Sequence, residues 1–480
     1  MAAEQLKTKA KKGVIWNTVE RLFSNGINFL FTIILARLLS PDDYGIIAMP
    51  VLFLALAQVL IDSGFSNALI RKQDLDERDL STAFYFNIVV GLVSYSLLFI
   101  ASPFIAVYFK TPILTKLLKV TALVVFINSL GIVQQALMTK RMDFKTQAII
   151  TVISTLISGA GGVWMAYYGY GVWSLVFQQV SAALIRVILL WLLGNWRPLW
   201  IWSKDSFNYL WNFGSKVVVI GFLDTIYNNI YAFVIGKRYN AKDLGNYTRA
   251  QQFADLPINN LNGIIQKVTL PLLSEIQDDN NRLGSIYLRI IRITALFIIP
   301  LMFGLAAMAS PLILTLLGQK WNGCILLFQI LCIAKIWTPF NAINVNLLQV
   351  KGRTDLQLKL EIAKKTVITI ILICTLNAGV VWLVIGFAIC TLIAFVINTY
   401  YTKRIIGVSF FKQIKAIIPS FVISLVMALA ILLFNLTVIN IYIELFFDII
   451  LGGMVYFGLL FLFEKDSLYE FKSLLAKKSS

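Results

Sequence analysis

Asn17, Arg21, Ser24 and Asn28 follow one another at i, i+4, i+7 and i+11. That spacing puts them on one helical face, with Glu20 and Asn25 at its flank. The stretch that holds them, Gly13 to Gly45, is apolar and long enough to cross a bilayer. A spanning helix with one wet face must turn it away from lipid, toward protein or a water-filled cavity. Amides and a guanidinium there offer hydrogen bonds and a fixed positive charge, which is the chemistry of holding a polar cargo.

Two later stretches carry comparable faces. In one, Gly221, Asp224 and Asn228 repeat the spacing, with Lys216 further in. In the other, Asp255, Asn259, Asn262 and Gln266 share a face, with Arg249, Gln251 and Gln252 just before it. Gln58 and Asp62 add two polar groups to the second apolar run. An Asn or Ser within a span has a plain structural role, an interhelical hydrogen bond contributing about 0.6 kcal/mol. A central charge costs about 3 kcal/mol to insert, so a charge without a partner or a task is selected against. Arg21, Lys216, Asp224, Arg249 and Asp255 are therefore candidates for function, with Arg186 and Lys335 behind them. The structural alternatives are pairing with Glu20 for Arg21 and snorkelling for Lys216 and Lys267.

Bond-making chemistry has no visible apparatus. The chain of 480 residues has no histidine, so a Ser-His-Asp arrangement is impossible. Cys324, Cys332, Cys374 and Cys390 sit inside apolar runs without metal or disulfide spacing and read as small hydrophobes. No Gly-rich nucleotide loop is present, and the connecting loops are too short for an ATP-binding domain. The expectation is a protein that is not an enzyme, with no cofactor, no metal and no nucleic-acid partner. An ion gradient, or the gradient of the cargo itself, must then drive any transport.

The elements that position these residues are spanning helices. Hydrophobic residues make up 59% of the chain and charged ones 14%, against roughly a quarter charged in soluble domains. The apolar runs are continuous and about 20 residues long, which fits a helical bundle and not an outer-membrane barrel. About fourteen such runs are expected, near 14–38, 44–68, 80–101, 113–137, 146–167, 171–193, 208–235, 247–270, 286–308, 322–349, 359–377, 380–401, 415–435 and 441–463. The eighth is unusually polar. With the N-terminus inside, Lys7 to Lys12, Arg71, Lys72, Lys140, Arg141, Lys351, Arg353, Lys403 and Arg404 all fall on the cytoplasmic side, as does the basic C-terminus. Both termini are then cytoplasmic, and the first span is uncleaved. Lys237, Arg238 and Lys242 break the rule by falling outside. The net charge of +18 follows mainly from this bias, with attraction to anionic lipid or an anionic substrate as a second source. Trp16, Trp191, Trp196, Trp200, Trp202 and Trp321 lie near span ends and read as interface belts.

Internal repeats organise the runs. Leu35-Ala36-Arg37 with Asp43-Tyr44-Gly45 resembles Ile235-Gly236-Lys237 with Asp243-Leu244-Gly245, and Asn28 matches Asn228. Ala101 to Ile105 recurs at Ala309 to Ile313, Lys140 to Asp143 at Lys351 to Asp355, and Val172-Trp173 at Val381-Trp382. Four marks in one order define two like-oriented halves of six spans each. The expected division is 1–205, 206–405 and an appendix of two helices at 406–480. Two such halves leave a cleft between them, with the first and seventh spans as its walls.

The motif Ala36-Arg37-x-Leu-x-Pro41-x-Asp43-Tyr44-Gly45, then Gly64-Phe65-x-x-Ala68-Leu69-Ile70-Arg71, resembles the start of bacterial polysaccharide flippases. Leu244-Gly245-x-Tyr247-x-Arg249-Ala250, Pro271-x-Leu273-Ser274 and Leu317-Gly318-x-Lys320-Trp321 extend the likeness over nearly the whole chain. The family is the Wzx-type O-antigen and exopolysaccharide flippases of the multidrug/oligosaccharidyl-lipid/polysaccharide exporter superfamily. The resemblance implies an all-α polytopic membrane protein with two parallel-repeat six-helix lobes and two C-terminal helices around a central cavity. It implies movement of undecaprenyl-diphosphate-linked oligosaccharide across the bacterial inner membrane by alternating access. Membrane lipids, a polysaccharide polymerase and a chain-length regulator are the implied partners. Under that reading Arg21, Lys216 and Arg249 contact the diphosphate or an acidic sugar, and Asn17, Asn28, Asn228, Gln252 and Asn259 meet sugar hydroxyls. Asp224 and Asp255 become ion-coupling groups or partners for those cations. The alternatives are a multidrug/ion antiporter of the same superfamily, a lipid II flippase, a membrane glycosyltransferase or polymerase, and a scaffold for glycan export.

Overall fold

The computed structural model describes residues 23–62, 64–436 and 440–464. Every regular element among them is helical. That is what continuous apolar sequence must form in hydrocarbon, because a helix satisfies each backbone N–H and C=O within its own segment. By packing, the chain falls into two compact units, one ending at Gly245 and one beginning at Asn246.

The first unit runs through α1 (Phe23–Leu38), α2 (Pro41–Ala48), α3 (Val51–Asp62), α4 (Phe65–Arg71), α5 (Glu77–Tyr108), α6 (Leu114–Thr121), α7 (Leu123–Ser129), α8 (Ile132–Lys140), α9 (Phe144–Tyr167), α10 (Val172–Leu193) and α11 (Lys204–Arg238), and it includes the start of α12 (Ala241–Ser274). The chain bends by 119° between α1 and α2. The Ser-Pro-Asp-Asp sequence makes that bend. The Asp43 N–H donates to Ser40 Oγ at 3.2 Å, and the Ser40 N–H donates back to Asp43 Oδ2 at 2.9 Å. Pro41 supplies the first helical position, where no N–H is needed.

The repeated copy of this turn is built the same way and lies against it. Asn240 Oδ1 accepts from the Asp243 N–H at 2.8 Å, as Ser40 Oγ accepts from Asp43. Burial there raises the pKa of the Asp243 carboxyl above its ordinary value. A Cβ on Gly45 would stand 1.7 Å from the Ala241 carbonyl oxygen, and a Cβ on Gly245 would stand 1.8 Å from the Pro41 carbonyl oxygen. The contact is reciprocal, copy against copy, as in a two-fold interface. Only glycine permits it.

Glycines elsewhere in this unit admit aromatic rings. A Cβ on Gly159 would meet the Phe31 ring at 2.3 Å and one on Gly161 the Phe177 ring at 2.6 Å, so the glycine run is a packing surface for α1 and α10. Gly131 sits where the α6–α7 segment bends by 43° into α8. Lys237, which breaks the charge rule, has a local task. Its ammonium donates to the Tyr108 carbonyl at 2.6 Å and lies 3.7 Å from the centre of the Tyr108 ring. A cation at the last residue of α5 meets the open carbonyls of a helix C-terminus.

The second unit continues α12 and adds α13 (Asn280–Ala307), α14 (Ala309–Leu317), a short 3-10 turn at Gln319–Trp321, α15 (Asn322–Lys335), α16 (Trp337–Val350), α17 (Thr354–Thr375), α18 (Val380–Ile406), α19 (Phe410–Asn435) and α20 (Ile441–Phe463). A buried polar chain ties α13, α16, α18 and α19 together. Tyr287 Oη donates to Asn344 Oδ1 at 2.6 Å, Asn344 Nδ2 to Gln413 Oε1 at 3.5 Å, and Gln413 Nε2 to Thr402 Oγ1 at 3.0 Å. The appended helices are thus packed into the unit; Tyr456 on α20 donates to the Leu296 carbonyl of α13 at 2.7 Å. Trp321 is fully buried and Trp196 nearly so, the latter donating to Glu77 Oε2 at 2.7 Å. Both are core residues and not interface belts; Trp200, 94% exposed, fits the belt reading.

The repeat is visible in backbone detail. At the end of α8, the Arg141, Met142 and Asp143 N–H groups donate to the carbonyls of Leu137, Thr139 and Met138. At the end of α16, Lys351, Gly352 and Arg353 donate to Leu347, Gln349 and Leu348 in the same pattern. Met142 and Gly352 both take positive φ, 57° and 65°. The backbone register therefore matches Arg141 with Lys351, one residue off the match that the side chains suggest. Among the described residues, ten helices are long and apolar enough to cross a membrane, or up to twelve if each of two bent pairs is one span. The expected fourteen also count α12 and α17, which are helical but more polar. Replacing Gly245 by Ala is expected to destabilise the detergent-purified protein by about 1–3 kcal/mol. A lower melting temperature reads this, and Gly26→Ala, with open space at its Cβ, leaves that temperature unlowered.

Candidate functional site

The expected contact residues divide between the units. Asn17 and Arg21 lie outside the described residues. In the first unit, Asn28 on α1 and Lys216, Asp224 and Asn228 on α11 are all exposed, in segments otherwise rich in apolar side chains. Lys216, Asp224 and Asn228 are separated by two turns and one turn, which keeps them on one side of α11. In the second unit, Arg249, Gln252 and Asp255 on α12 are half-buried and Asn259 is exposed. The spacing of these four holds them to one broad face of α12.

That face carries a charge pair. Lys335 Nζ, near the end of α15, donates to Asp255 Oδ1. Lys335 is buried, 8% exposed, and its ammonium stands 5.8 Å from the Phe387 ring centre. Asp255 is therefore a compensated carboxylate, and Lys335 belongs with the site. An ammonium inside an apolar run is the signal that marks it, since its insertion costs about 3 kcal/mol unless something pays that cost. Nearby on α12, the side-chain oxygens of Gln252 and Asn262 are buried without a hydrogen-bond partner among the described residues. Buried amide oxygens of this kind are acceptors available to a ligand or water.

A second feature of this unit is an apolar groove of about 570 Å³ between α13, α14, α19 and α20. Leu301, Leu312, Ile449, Phe457 and Leu460 are among its walls, and Gly452 and Gly453 open it. Apart from the buried Asp448, its lining suits a hydrocarbon chain. Among the described residues no group of three or more His, Cys, Asp or Glu side chains is placed to hold a metal ion.

Known proteins are similar to this chain in sequence or in fold. The profile of the family described as "Polysaccharide biosynthesis protein" matches residues 34–326. The lipopolysaccharide biosynthesis protein WzxC of Escherichia coli is 24% identical over 424 residues, covering 88% of this chain and 86% of that one. The succinoglycan biosynthesis transport protein ExoT of Rhizobium meliloti is 26% identical over 329 residues, 68% of this chain and 67% of its own. Among solved structures, a lipid II flippase, MurJ, in an inward closed conformation superposes with a TM-score of 0.76 at 16% identity, covering 95% of this chain and 100% of that one. This last likeness is one of fold.

Replacing Lys335 by Ala leaves a partly buried carboxylate without its cation, which costs about 3 kcal/mol. Lys335→Ala and Asp255→Ala are each expected to lower the melting temperature of the purified protein, and the double variant to regain most of the loss.

Proposed function

This chain belongs to the polysaccharide biosynthesis protein family, and we propose that it moves a lipid-linked oligosaccharide across the cytoplasmic membrane of a bacterium. The observation that carries the proposal is the polar face of α12, with its paired charge, inside a multi-pass membrane protein. Such a face is costly in lipid and is retained where a polar cargo passes. The names of the relatives support the reading, one being a lipopolysaccharide biosynthesis protein and another a succinoglycan biosynthesis transport protein.

The cargo, undecaprenyl-diphosphate-linked oligosaccharide, combines an anionic diphosphate, a polar glycan and a long hydrocarbon tail. Arg21, Lys216 and Arg249 are the groups for the diphosphate, through charge-assisted hydrogen bonds. Asn17, Asn28, Asn228, Gln252 and Asn259 are the groups for sugar hydroxyls. The groove between α13, α14, α19 and α20 takes part of the tail. In this proposal 1–205 and 206–405 work as two six-span lobes that rock, 406–480 adds two helices, and both termini are cytoplasmic. A gradient supplies the energy, with Asp224 and Asp255 as the ion-coupling groups.

The fold likeness to a lipid II flippase favours a second reading, in which lipid II is the cargo. A deletion strain separates the readings. Loss of surface glycan, with lipid-linked repeat units accumulating on the cytoplasmic side, is the expected result. Unchanged surface glycan with lipid II accumulation supports the second reading, and drug sensitivity alone supports an antiporter. Gly453→Trp, whose side chain would enter the groove from a position with open space at Cβ, is expected to lower surface glycan in a chain that still inserts.

A further inference from the structure

The chain leaves α10 at Leu193 and turns into an irregular segment, 194–203. Arg197 folds back over that helix end. Its Nη1 donates to the Gly194 and Trp196 carbonyls, both at 2.8 Å, and its Nη2 donates to the Trp191 carbonyl at 2.9 Å. The guanidinium also lies 5.5 Å from the centre of the Trp191 ring. A cation on the last carbonyls of a helix has a structural task, that of a cap. The cap uses three of the five guanidinium N–H groups. Among the described residues the other two, on Nε and Nη2, have no partner, and no carboxylate pairs with Arg197. The side chain is exposed.

Arg197 also lines a groove of about 540 Å³, and it is the one charged side chain among the described residues that do so. The rest of the lining is Leu130, just past α7, and Leu184, Val187, Ile188, Trp191 and Leu192 of α10. The α10 residues fall at i, i+3, i+4, i+7 and i+8, on one face. From Leu184 to Leu192 that face runs for about 12 Å along the helix, and Arg197 follows beyond its end. Leu184, Ile188 and Leu192 are exposed. The Trp191 indole N–H donates to the Leu130 carbonyl at 3.0 Å and joins the two sides. Trp200, exposed and stacked on Tyr85 at 5.4 Å, gives the depth, since an exposed tryptophan beside a span end sits among lipid headgroups.

We propose that this groove seats an anionic phospholipid of the phosphatidylglycerol type. Its phosphate takes the two open N–H groups of Arg197, and one acyl chain lies along Leu184, Ile188 and Leu192. A guanidinium matches a phosphate oxygen pair through charge-assisted hydrogen bonds. A basic group between spanning helices at headgroup level, with an apolar wall running into the membrane from it, is the chemistry of a bound acidic lipid. One cation balances the single charge of a phosphodiester, whereas a diphosphate brings more charge than Arg197 alone offsets. The site is distinct from the polar faces of α11 and α12, and it stands whether or not the transport reading holds.

The test uses the purified full-length chain in detergent with phosphatidylglycerol that carries a photoactivatable diazirine in one acyl chain. Labelling is expected to map to 184–192, to fall when unlabelled phosphatidylglycerol is added in excess, and to persist when phosphatidylcholine is added instead. Arg197→Gln is expected to lose this labelling. Ile188→Trp, which fills the groove from an exposed position and leaves the cap intact, is expected to lose it as well and guards against misfolding of the first variant. Equal labelling of 184–192 by a matching phosphatidylcholine probe overturns the proposal, as does labelling unchanged in both variants. Competition by undecaprenyl diphosphate but not by phosphatidylglycerol also overturns it, and would make the groove a place for the cargo.

Discussion

A charge inside a bilayer must find a counter-charge or water, and this requirement orders the whole polar architecture of the chain. Lys335 finds Asp255. At a span end, Lys237 meets the carbonyl end of α5 and a tyrosine face. Asp62 accepts from Gln58, which accepts in turn from Asn128. Each solution takes helices from distant parts of the sequence and fixes their register, because an unpaired partner would cost about 3 kcal/mol or more. Most other side chains of the spans are apolar, so the polar ones that remain, on α11 and α12 among others, are informative.

The second constraint is steric. Gly45 and Gly245 let two copies of one capped turn cross at backbone contact, each glycine against the first helical residue of the other copy. The Ser40 and Asn240 caps keep both turns in shape at that distance. α11 lies against α3, α4 and α5 in the first unit, although its sequence repeats α1. The division by repeat and the division by packing thus fall at different places, and the crossing turns stand next to the boundary.

Much of this was legible in the sequence, for physical reasons. Continuous apolar runs admit only helices, so the all-helical fold followed from composition. The two capped turns at Ser40 and Asn240 were legible as copies because such a turn needs a cap and a glycine, and both recur. Two things were not. The partner of Asp255 sits eighty positions away on α15, and no periodicity links the two; only packing does. The roles of Trp321 and Trp196 were also hidden, since a tryptophan near a span end reads as an interface anchor until its neighbours are known. Asp62 was visible as a polar group in an apolar run, but the relay that orients it reaches Asn128 on α7, which no periodicity reveals.

The central claim is that this chain carries a lipid-linked glycan from one leaflet to the other. The direct measurement is made in proteoliposomes that hold only this protein and a lipid-diphosphate oligosaccharide. A membrane-impermeant glycosidase added outside digests the glycans of the outer leaflet alone. The account predicts that digestion proceeds past the outer-leaflet fraction toward completion when the protein is present, and stops at that fraction in liposomes without it. Digestion that stops at the same fraction in both would contradict the account.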